Sequence, residues 1–272
     1  IEIDSLSAST PTNLVLGTAW DLTHGNWNLG GAPGTSVPGT LTLRASGNLN
    51  INNSLGMPND TLPAAKTWSM RLAGGADMQS ANPLASASLA TLVSSGDVVI
   101  QDNGSANIGK VRTGSGSIEV AAGRDFILGS VTTTLNQGDR AVIYTGGMPQ
   151  VLAPQDTLQR YTSGGGDIRI SAQRDAIGSM TVIQQPDING KAQDPNGKSG
   201  EFVNDWLRRT TLPASGASVT RLAAVPGNWW VYRPNFRHNV GSFGGGDIAI
   251  DAGRDVLNLA AAAPSSGRGN ID

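Results

Sequence analysis

The chain has 272 residues, of which 36 are glycine and only 15% are charged, so it is richer in turns and poorer in charge than an average globular protein. It contains no cysteine, which excludes a disulfide framework, a thiolate metal site and a cysteine nucleophile. The formal net charge of −2 gives no electrostatic reason to bind nucleic acid, and no apolar run approaches the roughly 18 residues of a membrane span.

Residues 1–38 alternate apolar and polar side chains in short stretches, which predicts short strands joined by Gly and Pro corners. After them one unit repeats, and its clearest copies are GSGSIEVAAGRDF at 114–126, GGGDIRISAQRDA at 164–176 and GGGDIAIDAGRDV at 244–256. If the last residue of each Gly-Arg-Asp-like triplet is taken as an anchor, six units align. The anchors are Asn48, Asp77, Ser105, Asp125, Asp175 and Asp255.

Each unit predicts a strand, a tight bend and a second strand. Apolar side chains stand seven and five residues before every anchor, as Ile118 and Val120 do, and this alternation is typical of a strand with one buried face. Gly stands nine residues before the anchor in every unit except one, which has Trp68. Asp and Asn favour tight turns because their side chains bond nearby backbone. The predicted structural corners are Asn48, Asp77, Asp125, Asp175 and Asp255.

The repeated aspartates have two interpretations. They could line one groove as the carboxylates of a polysaccharide lyase or glycosidase. Because each Asp comes from the corner of its own unit, we favour a structural role, in which Arg124, Arg174 and Arg254 pair with neighbouring aspartates. The two histidines, His24 and His238, have neither metal-ligand spacing nor a nucleophile elbow nearby. The sequence therefore predicts no catalytic residue, and we do not expect an enzyme.

The spacing of the units predicts a parallel β-helix. The shortest interval, from residue 105 to 125, is about the length of one coil, and coils stack at about 4.8 Å. Longer intervals predict excursions at 129–163 and 179–243, the second with one short helix at 200–210. We predict an all-β solenoid, residues 1–272, which forms one segment of a larger protein since the chain starts at Ile1 without an initiator Met.

The second excursion holds seven of the 13 aromatic residues of the chain. Such a cluster either packs as a lid on the flank of the coils or forms an exposed platform for a ligand. We favour the lid because a long excursion needs a small core of its own. Arginines interleave with the aromatic side chains, a pattern that suits an anionic glycan. The candidate ligand-binding residues are Trp206, Trp229, Trp230, Tyr232, Arg233 and Arg237.

A polar stretch at 187–201 is rich in oxygen ligands. It carries Asp187, Asn189, Asp194, Asn196 and Glu201. Their spacing does not match an EF-hand loop, so we predict a polar turn-rich loop and no cofactor, with calcium as the alternative.

Several of these stretches resemble the large exoproteins of the filamentous haemagglutinin family. The similar segments are WSMRLAGGAD, GSGSIEVAAGRDF, RAVIYTGG and GGGDIAIDAGRDV, which cover most of residues 67–257 in order. The resemblance implies a right-handed parallel β-helix, export by two-partner secretion, and a role as a bacterial surface fibre in adhesion. Direct integrin binding is not expected, because the chain contains no Arg-Gly-Asp triplet. The N-terminal secretion-domain signature is also absent, so self-contained secretion is not expected either.

The partners that follow from this resemblance are an outer-membrane secretion partner, neighbouring segments or further copies that stack on the coils, and a host or matrix glycan or protein. Nucleic acid is not expected as a partner. Two alternatives stay open for the function, namely a glycan-binding module that uses the aromatic excursion and a β-helical enzyme that cleaves polysaccharides.

Overall fold

The chain winds through three parallel six-stranded sheets, here called A, B and C. The computed structural model describes residues 1–5, 10–24, 27, 29, 37–57, 65–101, 109–129, 141–149, 162–178, 206–209, 229–231, 233, 236 and 239–264. Each coil contributes one strand to sheet A, then one to B, then one to C, and six coils stack in this way. The predicted fold class, a parallel β-helix, is confirmed.

The strands of each sheet are given in stacking order. Sheet A contains β1 (Glu2–Ser5), β4 (Thr40–Ala45), β7 (Ser69–Gly74), β10 (Ile118–Ala122), β15 (Ile168–Ala172) and β20 (Ile248–Ala252). Sheet B contains β2 (Leu14–Leu16), β5 (Leu49–Ile51), β8 (Val98–Ile100), β11 (Phe126–Leu128), β16 (Ala176–Gly178) and β21 (Val256–Leu257). Sheet C contains β3 (Trp20–Asp21), β6 (Ser54–Gly56), β9 (Lys110–Thr113), β12 (Val142–Thr145), β19 (Asn239–Ser242) and β22 (Ala260–Ala262).

Two short antiparallel pairs lie outside these sheets. They are β13 (Met148–Pro149) with β14 (Thr162–Ser163), and β17 (Leu207–Arg209) with β18 (Trp229–Val231). Both pairs belong to excursions that leave the coil and return to it.

Stacked aliphatic side chains form the interior. Ile118 pairs in register with Met70 on one side and with Ile168 on the other, and Ile168 pairs with Ile248. The first three are buried in one hydrophobic cluster to which all three sheets contribute, and Ile248 packs against it. Each fully buried aliphatic side chain contributes about 1.5–3 kcal/mol. The predicted strand, bend and strand of each unit are the sheet A strand, the corner and the sheet B strand of one coil.

The sequence alignment of the third unit is wrong. Strand β8 pairs with β5 and β11, so Val98 and Ile100 belong to sheet B and do not begin a new coil. They complete the coil that starts at β7, and an excursion at 76–95 separates the two strands. The anchor assigned to this unit, Ser105, lies outside the described residues.

Within the predicted helix at 200–210, Trp206 is helical, but the prediction is wrong at Leu207–Arg209, which is extended and pairs antiparallel with Trp229–Val231. This partner strand satisfies the backbone of the segment, and such a tertiary contact overrides local helix propensity. Residues 200–205 and 210 lie outside the described part of the chain. Within the predicted excursions at 129–163 and 179–243, β12 and β19 are sheet C strands, so the chain rejoins the coil inside each range.

Candidate functional site

A ladder of side-chain oxygens runs along the corner between sheets A and B, and we call it the B ladder. Its members each stand directly before a sheet B strand, and they are Asn13, Asn48, Asp97, Asp125, Asp175 and Asp255. The Oδ1 atom of each accepts the backbone N–H of the next member, over distances that run from 2.7 Å at the first step to 3.3 Å at the last. One side chain per coil therefore bonds each coil to the next.

Arginines strengthen the last steps of the B ladder. The Nε of Arg174 donates to Oδ1 of Asp125 over 2.7 Å, and a second guanidinium nitrogen donates to Oδ2. Arg254 binds Asp175 in the same way, with an Nε–Oδ1 distance of 2.8 Å. Bidentate pairs of this kind are strong and geometrically specific. The predicted pairing of these arginines with neighbouring aspartates is confirmed, and each arginine reaches the coil before its own.

The protonation of these carboxyl groups follows from their partners. The hydrogen bonds from Arg254 lower the pKa of Asp175, and burial raises the pKa of Asp97. Arg124 lies near Asp97, with an Nε–Oδ1 distance of 3.3 Å. A carboxylate held ionised by an arginine is unsuited to donate a proton as a general acid. Asp175 is therefore equipped for cohesion between coils.

Asp77 is not the corner residue of its coil, so this assignment is corrected. It lies in the excursion at 76–95, where its Oδ1 accepts the N–H of Gln79 over 3.0 Å. Because of the excursion, the corner residue of this coil is Asp97, which does not stand at the usual offset of seven residues after Met70. Asp97 precedes the apolar Val98 as the other corners precede their strands, but Asp77 precedes Met78 in the same way, so this signal alone does not choose between them.

A second ladder, the A ladder, runs along the corner between sheets C and A. Its members stand at the start of sheet A strands: Ser69 is the first residue of β7, and Ser117, Asp167 and Asp247 directly precede β10, β15 and β20. Each side-chain oxygen accepts the backbone N–H of the next member, over 3.1, 3.2 and 2.9 Å in order. The sequence reasoning missed this ladder, although a Ser or Asp before the first aliphatic residue of the strand was its signal.

Three of the glycines nine residues before the anchors, Gly116, Gly166 and Gly246, lie beside the A ladder, where the backbones of adjacent coils touch. Gly96 instead precedes Asp97 of the B ladder. A Cβ atom on Gly166 would overlap the backbone of Gly116, and one on Gly246 would overlap Gly166. The exception, Trp68, is buried, and its ring lies 5.9 Å from that of Trp27 in an edge-on arrangement. These positions are therefore Gly because the coils stack without room for a side chain.

An aromatic cluster covers the outer side of sheet C. Trp206, Phe236 and Phe243 pack on Val142 and Tyr144, and all five are buried. The rings of Phe236 and Phe243 are 4.7 Å apart and perpendicular, and those of Trp206 and Phe236 are 5.0 Å apart. This arrangement is the lid that the sequence favoured.

The structure describes four of the six candidate ligand-binding residues. Trp206 is only 5% exposed, so it is not part of an open platform. Trp229 and Trp230 lie in β18, and Arg233 lies in a turn in which its carbonyl accepts the N–H of Phe236 over 2.9 Å. Tyr232 and Arg237 lie outside the described residues, and so do the calcium candidates at 187–201 and His238.

Within the described ranges, no group of three or more His, Cys, Asp or Glu side chains is placed to hold a metal ion. The described residues also include no helix that is long and apolar enough to cross a membrane. Comparison of the chain with known protein families, with curated proteins and with solved structures gives no match. The functional interpretation therefore depends on the geometry of the coils, ladders and lid.

Proposed function

We propose that this chain is a structural segment of a secreted, fibrous exoprotein on the bacterial surface, where it extends a β-helical shaft for adhesion or matrix building. The observation that carries the proposal is the constant cross-section, because the same three strands recur in one register through six coils. A shaft of this kind lengthens by about 4.8 Å with each coil.

The excursions support the same role. They leave the shaft between strands, and the chain returns in register each time. After the longest excursion, Val240 in β19 pairs with Ile143 in β12 as if no residues intervened. A shaft that accepts insertions without a change of register can present them to a partner. The sequence resemblance to filamentous haemagglutinins supports the same role, including export through an outer-membrane partner.

The burial and pairing of the repeated aspartates support a non-enzymatic role. Asp125 and Asp175, which would line the groove of a β-helical polysaccharide-cleaving enzyme, are buried and bound to arginines. Trp206, one of the residues on which the glycan-binding alternative depends, is buried inside the lid. A cohesive shaft uses these groups for contact between coils.

The test is the shape of the full-length parent protein in electron micrographs. We expect elongated rods, and deletion of the whole segment should shorten them by about six rungs, or about 29 Å. The same deletion should reduce attachment of cells that carry the parent protein to a host or matrix surface. Compact particles whose dimensions do not change on deletion would contradict the proposal. Release of new reducing ends from acidic polysaccharides would favour the enzyme instead.

A further inference from the structure

The sixth coil presents an open edge in the described part of the chain. Its strands β20, β21 and β22 are the last of sheets A, B and C. Val256 in β21 is 51% exposed and Ile248 in β20 is only partly buried, whereas Ala176 and Ile168, which hold the same positions in the fifth coil, are buried. Apolar side chains that are covered when a coil has a successor are therefore uncovered here.

The last member of the B ladder has an incomplete set of partners. The carboxylates of Asp125 and Asp175 each lie 3.9 Å from the arginine of their own coil and bind the arginine of the following coil bidentately. Among the described residues, Asp255 has only its own-coil partner, Arg254, at 3.7 Å. Its side chain is 57% exposed, against 5% for that of Asp175.

We propose that the open edge of the sixth coil binds one further β-helical coil that carries an arginine at its bend between sheets A and B. The carboxylate of Asp255 receives that arginine, as Asp175 receives Arg254. The Oδ1 atoms of Asp247 and Asp255 accept backbone N–H groups of the incoming coil and so continue both ladders. This inference rests on the proposed shaft and specifies what the shaft accepts at this end.

The first coil of a second copy does not fit this edge. Thr12 stands before Asn13 where the incoming coil needs its arginine. In continued register Asp4 would face Asp251, because Asp4, Arg44, Ala73, Ala121, Ser171 and Asp251 occupy one row of sheet A. Like charges directly opposite one another destabilise a sheet. The edge therefore selects an arginine-bearing coil over head-to-tail self-association.

A duplication in the full chain tests the proposal. A second copy of residues 242–262 is inserted after Ala262, which keeps register because Gly241 pairs with Ala262. In the copy, serine replaces the aspartate that would face Asp251, as Ser171 faces it from the fifth coil. The arginine of the added coil then faces Asp255. We expect amide hydrogen exchange in β20 and β21 to slow at least about tenfold, since charged hydrogen bonds and a covered edge both oppose local opening.

Matched variants isolate the arginine. With glutamine in place of the added arginine, most of the slowing should be lost. Asp255→Asn keeps an oxygen for the backbone N–H but removes the charge, so it should abolish the difference between the arginine and glutamine forms. Asp251→Asn makes the same charge change in the same coil and should leave that difference intact.

Exchange in β10 reports on the shaft itself and should not change in any variant. Equal slowing by the arginine and glutamine forms would overturn the inference, and so would no slowing by either. If docking depends on the arginine but the parent protein forms compact particles, the proposed fibre is wrong and the binding site stands. If the parent protein forms rods but the added coil docks equally well with glutamine in place of its arginine, only the inference fails.

Discussion

At the corner between sheets A and B, the residue that joins neighbouring coils needs only an oxygen acceptor. Asn13 and Asn48 serve the first two coils, and aspartates serve the others. The negative charge is used where the following coil supplies an arginine, as Arg174 does for Asp125. Asn and Asp therefore both fit the ladder, because each supplies the same Oδ1 acceptor.

Substitutions of Asp125 separate these two contributions. Asp125→Ala removes the acceptor for the N–H of Asp175 and for Arg174, and we expect a loss of about 1–3 kcal/mol in the free energy of unfolding. Asp125→Asn keeps the acceptor for the backbone and should cost less. Urea denaturation of the two variants measures the difference. An equal loss in both would show that the backbone bond contributes nothing.

The opposite pKa shifts of two ladder aspartates predict opposite responses to pH. Asp175 has a lowered pKa because Arg254 bonds its carboxylate, so its stabilisation is complete above the ordinary value of 3.8 and is lost as pH falls through the lowered pKa. Asp97 has a pKa raised by burial, so its carboxylate destabilises the fold at neutral pH, and protonation relieves this as pH falls through the raised pKa.

Thermal unfolding of Asp97→Asn and Asp175→Asn between pH 7 and pH 2 tests this expectation. At pH 7 we expect Asp175→Asn to lower the melting temperature and Asp97→Asn to leave it unchanged or raise it. The loss of stability in acid should be shallower in Asp175→Asn than in the parent chain. Two variants with the same pH profile would contradict the assignment.

Sequence reasoning located the residues of the sheet A strands and most of the B ladder, because aliphatic pairs and Asp recur at fixed offsets. It failed where an insertion breaks the offset, since Asp77 and Asp97 both follow β7 and only the structure shows which one turns the corner. It also missed the A ladder, in which Ser117 and Asp167 do the same task with different side chains.

Among the elements, the excursion at 76–95 leaves and rejoins the shaft at one point. A Cβ atom on Gly75 would lie 2.8 Å from Cα of Gly96, so the two glycines are adjacent in space. Both have positive φ, at 61° and 107°. They occupy the positions that Gly123 and Arg124 hold in the next coil. The excursion is therefore inserted where the next coil has a single peptide bond between these two residues.

Deletion of residues 76–95, which joins Gly75 to Gly96, should therefore preserve the fold. We expect a modest loss of stability, because Arg44 loses its bonds to the carbonyls of Asp77 and Ser80 and the buried Leu92 is removed. Hydrogen exchange in β8 should stay slow. Deletion of 76–96 removes one residue more and leaves no room for the bend, so it should unfold the coil. If both deletions behave alike, the register assigned here is wrong.

The lid should loosen separately from the shaft. Phe236 is buried between Trp206 and Phe243, and Phe236→Ala removes a ring whose loss typically costs about 3–5 kcal/mol. We expect faster hydrogen exchange at Leu207–Arg209 and a red shift of tryptophan emission, with little change in β10. Val93→Ala, at an exposed position on the other excursion, is the control. A parallel loss of protection in β10 would show that the lid stabilises the shaft.

The sheet C strands could not be aligned with one another from the sequence, although the strand-like segment RAVIYTGG at 140–147 contains β12. Lys110–Thr113, Val142–Thr145, Asn239–Ser242 and Ala260–Ala262 share no residue pattern. Their outer faces meet different neighbours, and the lid covers Val142 and Tyr144, so no single alternation is selected. Contacts distant in sequence define this sheet, whereas local patterns define sheets A and B.

For the whole molecule, stability should fall toward the open edge of the sixth coil. Ile118 in the fourth coil is buried between two neighbours, whereas Ile248 in the last has one and is only partly buried. Hydrogen exchange measured by mass spectrometry should be slowest in β10 and β12 and fastest in β20, β21 and β22. Uniform protection along the stack would mean that the coils unfold as one unit.

Six repeat units align in the sequence and six coils are observed, but the two sets differ in two members. The unit anchored at Ser105 is not a coil, and the first coil, β1 to β3, was not counted because it lacks the Gly-Arg-Asp bend. Stacking in the structure depends on register and backbone contacts, which Thr12 and Asn13 provide without the motif.

Both ladders point the same way, since each side chain accepts from the coil that follows it in the chain. A finished coil thus carries oriented side-chain acceptors for the segment that comes next, whereas in the reverse order a finished coil would offer its backbone groups alone. A polypeptide that is delivered N-terminus first can fold coil by coil in the order in which it arrives, and each folded coil opposes movement of the chain in the reverse direction.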